Sequence, residues 1–220
     1  MPVGSGAAPT LRIAEIFASL QGESTRVGLP TVFVRLTGCP LRCVWCDTPY
    51  AFRGGETRRV DAVVDEVIAH KLHYVCVTGG EPLAQAACPA LLIALADTGH
   101  SVSLETSGAL DISGLDSRVS RIVDLKAPAS GESERNLYDN IARLTPRDEV
   151  KIVLADETDY HWARAQLERW NLAARCPVLF SPVADRLDPR QLAEWIVRDR
   201  LPVRFQLQLH KTLWQDARGR

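Results

Sequence analysis

The sequence predicts an α/β fold, specifically a partial, open (β/α)6-type barrel. Strand and helix patterns alternate about six times along the 220 residues, which is typical of a parallel sheet covered by helices. A complete eight-stranded barrel typically needs ~250 residues, so this chain is short for closure. Unusual residues also cluster directly after strands, where such sheets carry their chemistry.

The predicted strands are short runs of β-branched, aromatic and apolar residues. The first, TVFVRLT at residues 31–37, leads into the cysteine-rich stretch TGCPLRCVWCDTPYAF at residues 37–52. The later strands are predicted at residues 73–78, 102–106, 121–126, 149–154, 177–182 and 203–209.

Helices are predicted between several of these strands. In residues 60–72 the apolar side chains recur with helical spacing, so that Val60, Val63, Val64, Val67 and Ile68 share one face. A second helix covers residues 88–99 and ends at its glycine. The last two are predicted at residues 160–170 and 188–199, the latter with Asp188 as N-cap and Pro189 at its first position.

Composition limits the class of protein. We expect one domain, residues 11–220, after a disordered leader at residues 1–10. The formal net charge of -1 excludes a general basic field for nucleic acid or anionic lipid. No stretch approaches the roughly 18 apolar residues of a membrane helix, and the N-terminus does not have the pattern of a secretory signal. We therefore expect a cytoplasmic protein, in which clustered cysteines indicate metal binding or catalysis more than disulfides.

Three cysteines lie within eight residues, as Cys39-x3-Cys43-x2-Cys46. Thiolates favour zinc, copper(I) or iron–sulfur clusters. A structural zinc site usually has four ligands from paired motifs, and no second pair is present. Three thiolates on a cluster of four irons would leave one iron open for another ligand. A cluster is thus favoured, and a zinc-stabilised binding module remains the alternative. The other cysteines, Cys76, Cys88 and Cys176, are predicted to be buried small hydrophobes.

Two more features indicate a binding site. The glycines of GGEP, residues 79–82, permit close backbone approach, and Glu81 could accept a hydrogen bond from an ammonium group. The alternative is an ordinary glycine-rich turn. Arg35 is a charge within an apolar strand, and a buried guanidinium needs an anion. That anion is either a ligand carboxylate or a structural partner.

The cysteine spacing, the aromatic Trp45 before the third cysteine, and GGEP one β/α unit later together resemble the radical S-adenosylmethionine (SAM) superfamily. The resemblance implies a 4Fe–4S cluster bound by Cys39, Cys43 and Cys46. It also implies that the amino and carboxylate groups of SAM chelate the open iron. Reductive cleavage of SAM would then yield a 5′-deoxyadenosyl radical.

Within this superfamily, the chain from about residue 12 onward resembles the 7-carboxy-7-deazaguanine synthases. The motifs are LQGE (20–23), CDT (46–48), LETSG (104–108), DLKAPASGE (124–132) and QLQLHK (206–211). The resemblance implies a lyase that contracts the ring of 6-carboxy-5,6,7,8-tetrahydropterin, with loss of ammonia, in the biosynthesis of queuosine and other 7-deazapurines for tRNA modification. It also implies Mg²⁺, a homodimer and a flavodoxin-like electron donor.

The same resemblance implies roles for individual residues. Thr48 would contact Mg²⁺, with Asp47 beside it, although this pair could instead form a turn or helix cap. Arg35 would take the substrate carboxylate. Contacts to SAM are implied for Gly80, Glu81, Ser107, Lys126 and Ser130. Further substrate contacts are implied for Gln21, Glu23, Thr78, Glu105 and His210.

Two positions depart from the family pattern. Ser24 stands where the family usually has the last glycine of LQGEG, and no glycine follows Trp214. A glycyl-radical activating enzyme shares the cysteine spacing and stays a rival interpretation, although it has no use for LQGE or QLQLHK.

Overall fold

β-branched and apolar runs build one nine-stranded sheet in the computed structural model, which describes residues 8–215 and 217–219. Short 3₁₀ turns occupy several connections. The strands are β1 (Thr10–Leu20), β2 (Pro30–Leu36), β3 (Glu56–Arg59), β4 (Tyr74–Gly79), β5 (Ser101–Thr106), β6 (Ser120–Asp124), β7 (Glu149–Leu154), β8 (Val178–Pro182) and β9 (Arg204–Phe205). The helices are α1 (Val60–Ala69), α2 (Cys88–Asp97), α3 (Glu157–Arg169), α4 (Pro189–Arg198) and α5 (Leu209–Trp214).

The sheet runs in the order β3-β1-β2-β4-β5-β6-β7-β8-β9. From β2 through β4 to β9 every neighbouring pair is parallel, while β1 pairs antiparallel with both β2 and β3. The two end strands, β3 and β9, have no pairing with each other, so the barrel is open as predicted. Parallel strands place their carboxyl ends along one edge, which prepares a common site there.

The apolar core has two parts. One lies between α1, α2 and strands β1, β2, β4 and β5, and the other between α3, α4 and strands β7 and β8. The predicted face of α1 is confirmed at Val60, Val63, Val64 and Val67, while Ile68 is 45% exposed. The cysteines outside the cluster loop are buried, as predicted, and these are Cys76, Cys88 and Cys176.

Helix caps follow the sequence. The side chain of Asp188 accepts a hydrogen bond from the Arg190 N–H at 2.9 Å, with Pro189 first in α4, as predicted. Helix α3 begins earlier than predicted because Asp156 caps it by accepting from the Asp159 N–H at 2.9 Å. No helix in the described part of the chain is long and apolar enough to cross a membrane.

Two strands differ from the prediction at the start of the chain. The sequence reading missed β1 and β3, whose mixed polar and apolar residues do not form an apolar run. Strand β1 begins at Thr10, the last residue of the predicted leader, and residues 1–7 lie outside the described residues. Because β1 lies between β2 and β3, it extends the sheet beyond the parallel strands.

The last strand is shorter than the predicted 203–209. Strand β9 holds two residues, and Gln206 then turns inward and is buried. Its amide accepts from the Ser24 N–H and donates to the Ser24 carbonyl, both at 2.8 Å. This paired contact removes the chain from the sheet edge and directs it into α5, so the prediction of a strand to residue 209 was wrong.

At both positions where the family usually has glycine, Ser24 and Gln215, the backbone has the positive φ that favours glycine. Ser24 has φ +67°, and Gln215, directly after Trp214, has φ +54°. A side chain in this region costs about 1–2 kcal/mol. At Ser24 the two bonds to Gln206, and a bond from the Arg26 N–H to the Ser24 hydroxyl at 3.1 Å, hold the conformation.

Gly79 allows β4 to lie close to Leu36 at the end of β2, and this close contact can be tested by mutation. Its φ is +152°, and an added Cβ would lie 2.1 Å from the Leu36 carbonyl oxygen on β2. We expect Gly79→Ala to lower the free energy of unfolding by about 3 kcal/mol or more, measured by urea denaturation. Gly114→Ala is the matched control, since its φ is +73° but its Cβ would meet open space. The control should lose only about 1 kcal/mol, and equal losses in the two variants would contradict the steric explanation.

Candidate active site

A cavity of about 380 Å³ opens where the parallel strands end. Its wall includes the cysteine loop, the residues directly after β4, β5 and β8, and the C-terminal segment. This is the edge that the sequence predicts. Every residue predicted for the site except Glu81 and Ser130 lines it, namely Gln21, Glu23, Arg35, Cys39, Cys43, Cys46, Thr48, Thr78, Gly80, Glu105, Ser107, Lys126 and His210.

The three cysteines of the loop are half-buried and face the same cavity. Burial raises the pKa of the Cys39 and Cys43 thiols above the ordinary value. Among the described residues no three His, Cys, Asp or Glu side chains converge on one metal ion. A cluster of four irons does not require such convergence, because each thiolate binds a different iron.

The cysteine loop is held against the GGEP turn by backbone contacts. The Glu81 N–H donates to the Gly38 carbonyl at 2.7 Å. A Cβ at Gly80 would lie 2.3 Å from that carbonyl oxygen and 2.8 Å from the Cys39 Cβ. Gly80 is therefore required for the turn to reach the cysteines. This close approach, together with three thiols on one cavity wall, fits a cluster with a ligand beside it.

The Glu81 side chain does not face the cavity, in contrast to its predicted contact. It is fully buried, and its carboxylate accepts from the Leu83 N–H at 3.0 Å, the Thr106 hydroxyl at 3.0 Å and the Ser107 N–H at 2.7 Å. The Ser107 hydroxyl donates to it at 2.5 Å. Glu81 thus joins the GGEP turn to the end of β5.

Ser130 is likewise turned away from the cavity. It is 1% exposed, and its hydroxyl donates to the Ala127 carbonyl at 2.6 Å. Its own carbonyl accepts from the Val44 N–H at 3.0 Å, next to Cys43. Ser130 therefore supports the cysteine loop from behind, and its contact with SAM stays a prediction.

Arg35 forms an ion pair with Glu15, so it has a structural partner, which was one of the two alternatives for its buried charge. Its Nε donates to the Glu15 carboxylate at 2.7 Å, and the Tyr50 hydroxyl donates to the same oxygen at 2.8 Å. Burial raises the pKa of Tyr50 to about 12, and the Glu15 carboxylate adds to the shift. All three side chains also line the cavity. Neither Glu15 nor Tyr50 was predicted from the sequence. Glu15 could have been found as an acidic residue within a strand, but strand β1 itself was not predicted.

Two other residues predicted to contact the substrate, Thr78 and Gln21, hold the Glu105 carboxylate in place. The Thr78 hydroxyl donates to one carboxylate oxygen at 2.9 Å, and the Gln21 amide donates to the other at 3.3 Å. Each oxygen retains a lone pair for a further donor. The cavity therefore presents a carboxylate in a set orientation at the ends of β4 and β5.

A second charged group involves Glu23 and two lysines. The Lys151 ammonium lies 2.5 Å from one Glu23 oxygen and 3.7 Å from Asp124, which also pairs with Lys126 at 2.9 Å. Burial acts to raise the pKa of Glu23, but the charge and hydrogen bond of Lys151 outweigh it and lower the pKa to about 2. The sequence analysis did not predict Lys151, although a charged residue between the apolar Val150 and Ile152 of a strand is the same signal that identified Arg35.

The C-terminal segment forms a wall of the cavity. His210 lies in the first turn of α5, rather than at the end of a strand as predicted. A Cβ at Gly22 would lie 2.2 Å from the His210 Nδ1, so only glycine allows this packing. The Leu209 N–H donates to the Gly22 carbonyl at 3.0 Å, and the Gln208 amide donates to Glu23 at 2.7 Å.

Thr48 precedes a short 3₁₀ turn at Pro49–Phe52, but its side chain makes no capping hydrogen bond there. The hydroxyl lies 3.9 Å from the Cys46 sulfur and lines the cavity with the exposed Asp47. Thr48 is thus the N-cap residue of this turn, and its carbonyl accepts from the Ala51 N–H at 2.9 Å, but its side chain does not cap the turn. Its oxygen is available beside the cysteines.

Comparison with known proteins places these features in a family. Residues 33–128 match the family model described as the radical SAM superfamily. The 7-carboxy-7-deazaguanine synthase of Chlorobaculum tepidum is 48% identical over 213 residues, covering 95% of this chain and 97% of that protein. The enzyme of the same name from Koribacter versatilis is 40% identical, and the match covers 93% of this chain and 97% of that protein. The crystal structure of QueE from Escherichia coli has the same fold, with a TM-score of 0.76 and 22% sequence identity. The match covers 91% of this chain and 95% of that chain.

The buried Glu81 carboxylate can be tested by a neutral variant of the same shape. In Glu81→Gln an amide N–H would face groups that are themselves donors, and two charge-assisted bonds would weaken. We expect the free energy of unfolding to fall by about 3 kcal/mol, measured by urea denaturation. Glu134→Gln, at an exposed position, is the matched control and should change by less than about 0.5 kcal/mol. A Glu81→Gln protein as stable as the control would refute the structural role.

Proposed function

This chain belongs to the 7-carboxy-7-deazaguanine synthase family of the radical SAM superfamily, and we propose that it converts 6-carboxy-5,6,7,8-tetrahydropterin to 7-carboxy-7-deazaguanine and ammonia. The observation that carries the proposal is one cavity with three cysteines on its wall and fixed carboxylates beside them. The product equals the substrate less ammonia, so the conversion is neither a net oxidation nor a net reduction. SAM can therefore be regenerated in each turnover.

The thiolates of Cys39, Cys43 and Cys46 would hold a 4Fe–4S cluster. When bound, the cluster and SAM would supply the 5′-deoxyadenosyl radical that removes hydrogen from C6 of the pterin. The chain contributes the pocket around this chemistry. Glycine at position 80 lets the GGEP turn lie directly against Cys39, and Gly80, Ser107 and Lys126 line the cavity where the amino acid part of SAM would bind.

Lys126 is suited to an anionic ligand group. Burial acts to lower its pKa, but the Asp124 carboxylate at 2.9 Å raises it above the ordinary value, so the side chain stays charged. Its ammonium has three donors, and Asp124 occupies one. We propose that another donor takes an oxygen of SAM.

Arg35 would bind the substrate carboxylate. Glu15 takes the Nε proton at 2.7 Å, and among the described residues no acceptor is seen for its terminal nitrogens. Those nitrogens can take a carboxylate in a bidentate pair. Gln21, Glu23 and Glu105 would recognise the guanidine-like edge of the pterin, because ionised carboxylates accept paired N–H donors. Thr78 supports Glu105, and His210 closes the same end of the cavity.

Thr48 would contact Mg²⁺, with Asp47 nearby. A hard cation prefers oxygen ligands and keeps water or substrate oxygens in its remaining positions. The Thr48 hydroxyl lines the cavity without a capping bond, which supports this assignment.

We further propose that the protein acts in the cytoplasm as a homodimer, with a flavodoxin-like electron donor, and that its product serves 7-deazapurine synthesis, including queuosine in tRNA. Exposed apolar side chains near the end of the chain support an interface between copies. Phe205 is 38% exposed, Leu207 44% and Leu213 49%.

Anaerobic reconstitution tests the proposed reaction. The protein is loaded with iron and sulfide, then supplied with SAM, Mg²⁺, dithionite and 6-carboxytetrahydropterin, and products are identified by mass spectrometry. We expect a product lighter than the substrate by ammonia. Cys43→Ala should bind no complete cluster and form no product. Cys176→Ala removes a buried cysteine outside the cavity and should still form product. SAM cleavage without pterin conversion would refute the proposed substrate.

The contact of Gly22 with His210 gives a second test. Gly22→Ala would push the imidazole away, since the new Cβ would lie 2.2 Å from its Nδ1. We expect a loss of roughly tenfold to a hundredfold in kcat/KM for the pterin, measured by steady-state kinetics. Gly28→Ala lies in the same loop, at φ +84° with open space around its Cβ, and should keep kcat/KM near the wild-type value. Equal losses in both variants would argue against a role for this packing.

A further inference from the structure

Lys151 is a buried cation in the cavity wall to which no role has been given so far. Its side chain is 13% exposed, and it projects from β7 between the apolar neighbours Val150 and Ile152. A buried ammonium is costly unless it is paired. Lys151 is paired twice, with Glu23 at 2.5 Å and with Asp124 at 3.7 Å.

The pairing joins distant parts of the chain. Glu23 belongs to the loop between β1 and β2, while Lys151 lies near the middle of β7. One Glu23 oxygen takes the Lys151 ammonium, and the other takes the Gln208 amide at 2.7 Å. Both oxygens are thus held in place from opposite sides, and the carboxylate still lines the cavity.

We propose that Lys151 is a positioning residue for pterin binding, which keeps Glu23 ionised and oriented so that it accepts N–H donors from the guanidine-like edge of the substrate. The inference rests on the proposed function for the identity of that substrate. Lys151 itself need not touch the pterin. Its effect passes through Glu23.

The charges around the pair support this arrangement. Glu23 is faced by Lys151 from β7 and by Gln208 and His210 from the C-terminal segment. Lys151 is faced by Glu23, Asp124 and Glu105. Burial alone would raise the pKa of Glu23, and the Lys151 ammonium reverses that effect. Without Lys151 the pKa of Glu23 would therefore rise, and a protonated Glu23 would lose its ability to accept two donors.

Lys151→Met, Lys151→Arg, Glu23→Gln and the double variant Glu23→Gln/Lys151→Met test the inference. In Lys151→Met we expect KM for the pterin to rise about tenfold, with a smaller change in kcat. The rise should grow toward acid pH, where wild type changes little. Lys151→Arg keeps the charge and should restore most of the affinity. The double variant should be no worse than Glu23→Gln alone, since Lys151 acts through Glu23.

Arg121→Met is the matched control for loss of a buried ion pair. Arg121 pairs with Asp148 at 2.6 Å, and neither residue lines the cavity. This control should lower thermal stability as Lys151→Met does, while its KM stays at the wild-type value. An unchanged KM in Lys151→Met, with an active wild type, would overturn the inference and leave the proposed function standing.

A measurement without turnover separates the two ideas further. In Lys151→Met the folded-state pKa of Glu23 lies above its unfolded value, so the unpaired charge destabilises the fold at higher pH. We therefore expect the loss in Tm relative to wild type to shrink as the pH falls. A pH-independent loss would overturn the inference. If wild type forms no product from the pterin, the proposed function fails, and this profile still decides whether Lys151 keeps Glu23 ionised.

Discussion

The buried carboxylate of Glu81 is the contact on which the architecture of the site depends. Its oxygens are saturated by donors from Leu83, Thr106 and Ser107, so the turn after β4 and the end of β5 form one unit. The backbone N–H of the same residue binds the Gly38 carbonyl and thereby holds the cysteine loop. A single buried charge can do this because a desolvated carboxylate needs several donors at once, and these donors come from separate segments.

Paired charges, rather than apolar packing, define the interior of the cavity. Arg35 with Glu15, Lys126 with Asp124, and Lys151 with Glu23 are all largely buried. Such pairs contribute little net stability compared with well-packed hydrophobic residues of similar size. They do hold charged groups in set orientations with donors and acceptors to spare, which a zwitterionic cofactor and a carboxylated heterocycle both require. In the proposed function, these groups bind the cofactor and the substrate.

The loop at residues 21–24 and the C-terminal segment support each other. Gln206 binds both backbone groups of Ser24, and His210 packs on Gly22. These contacts explain how Ser24 can keep a left-handed backbone without glycine. Since both segments also line the cavity, one part of its wall depends on contacts between residues that lie far apart in the sequence.

Local patterns in the sequence determined the parallel sheet, most helices, the cap at Asp188 and the edge where the site lies. The three closely spaced cysteines and the motifs after the strands, through the resemblance that they carry, identified site residues of which all but Glu81 and Ser130 line the cavity. Strands β1 and β3 were missed because their mixed polar and apolar residues form no clear apolar run. The last strand was predicted too long because Gln206 is drawn away by a residue 182 positions earlier. Lys151 and Glu15 were also missed as residues of the site, although each is a charged residue within a strand.

Only the tertiary structure decided how the charges are paired. Glu81 turned inward instead of facing a ligand, Ser130 supported a loop, and Arg35 acquired Glu15 as a partner while still facing the cavity. Spacing along the chain specifies which residues share a loop or a strand face. It does not specify which oxygen accepts which donor, because that depends on distances between segments that the folded sheet brings together.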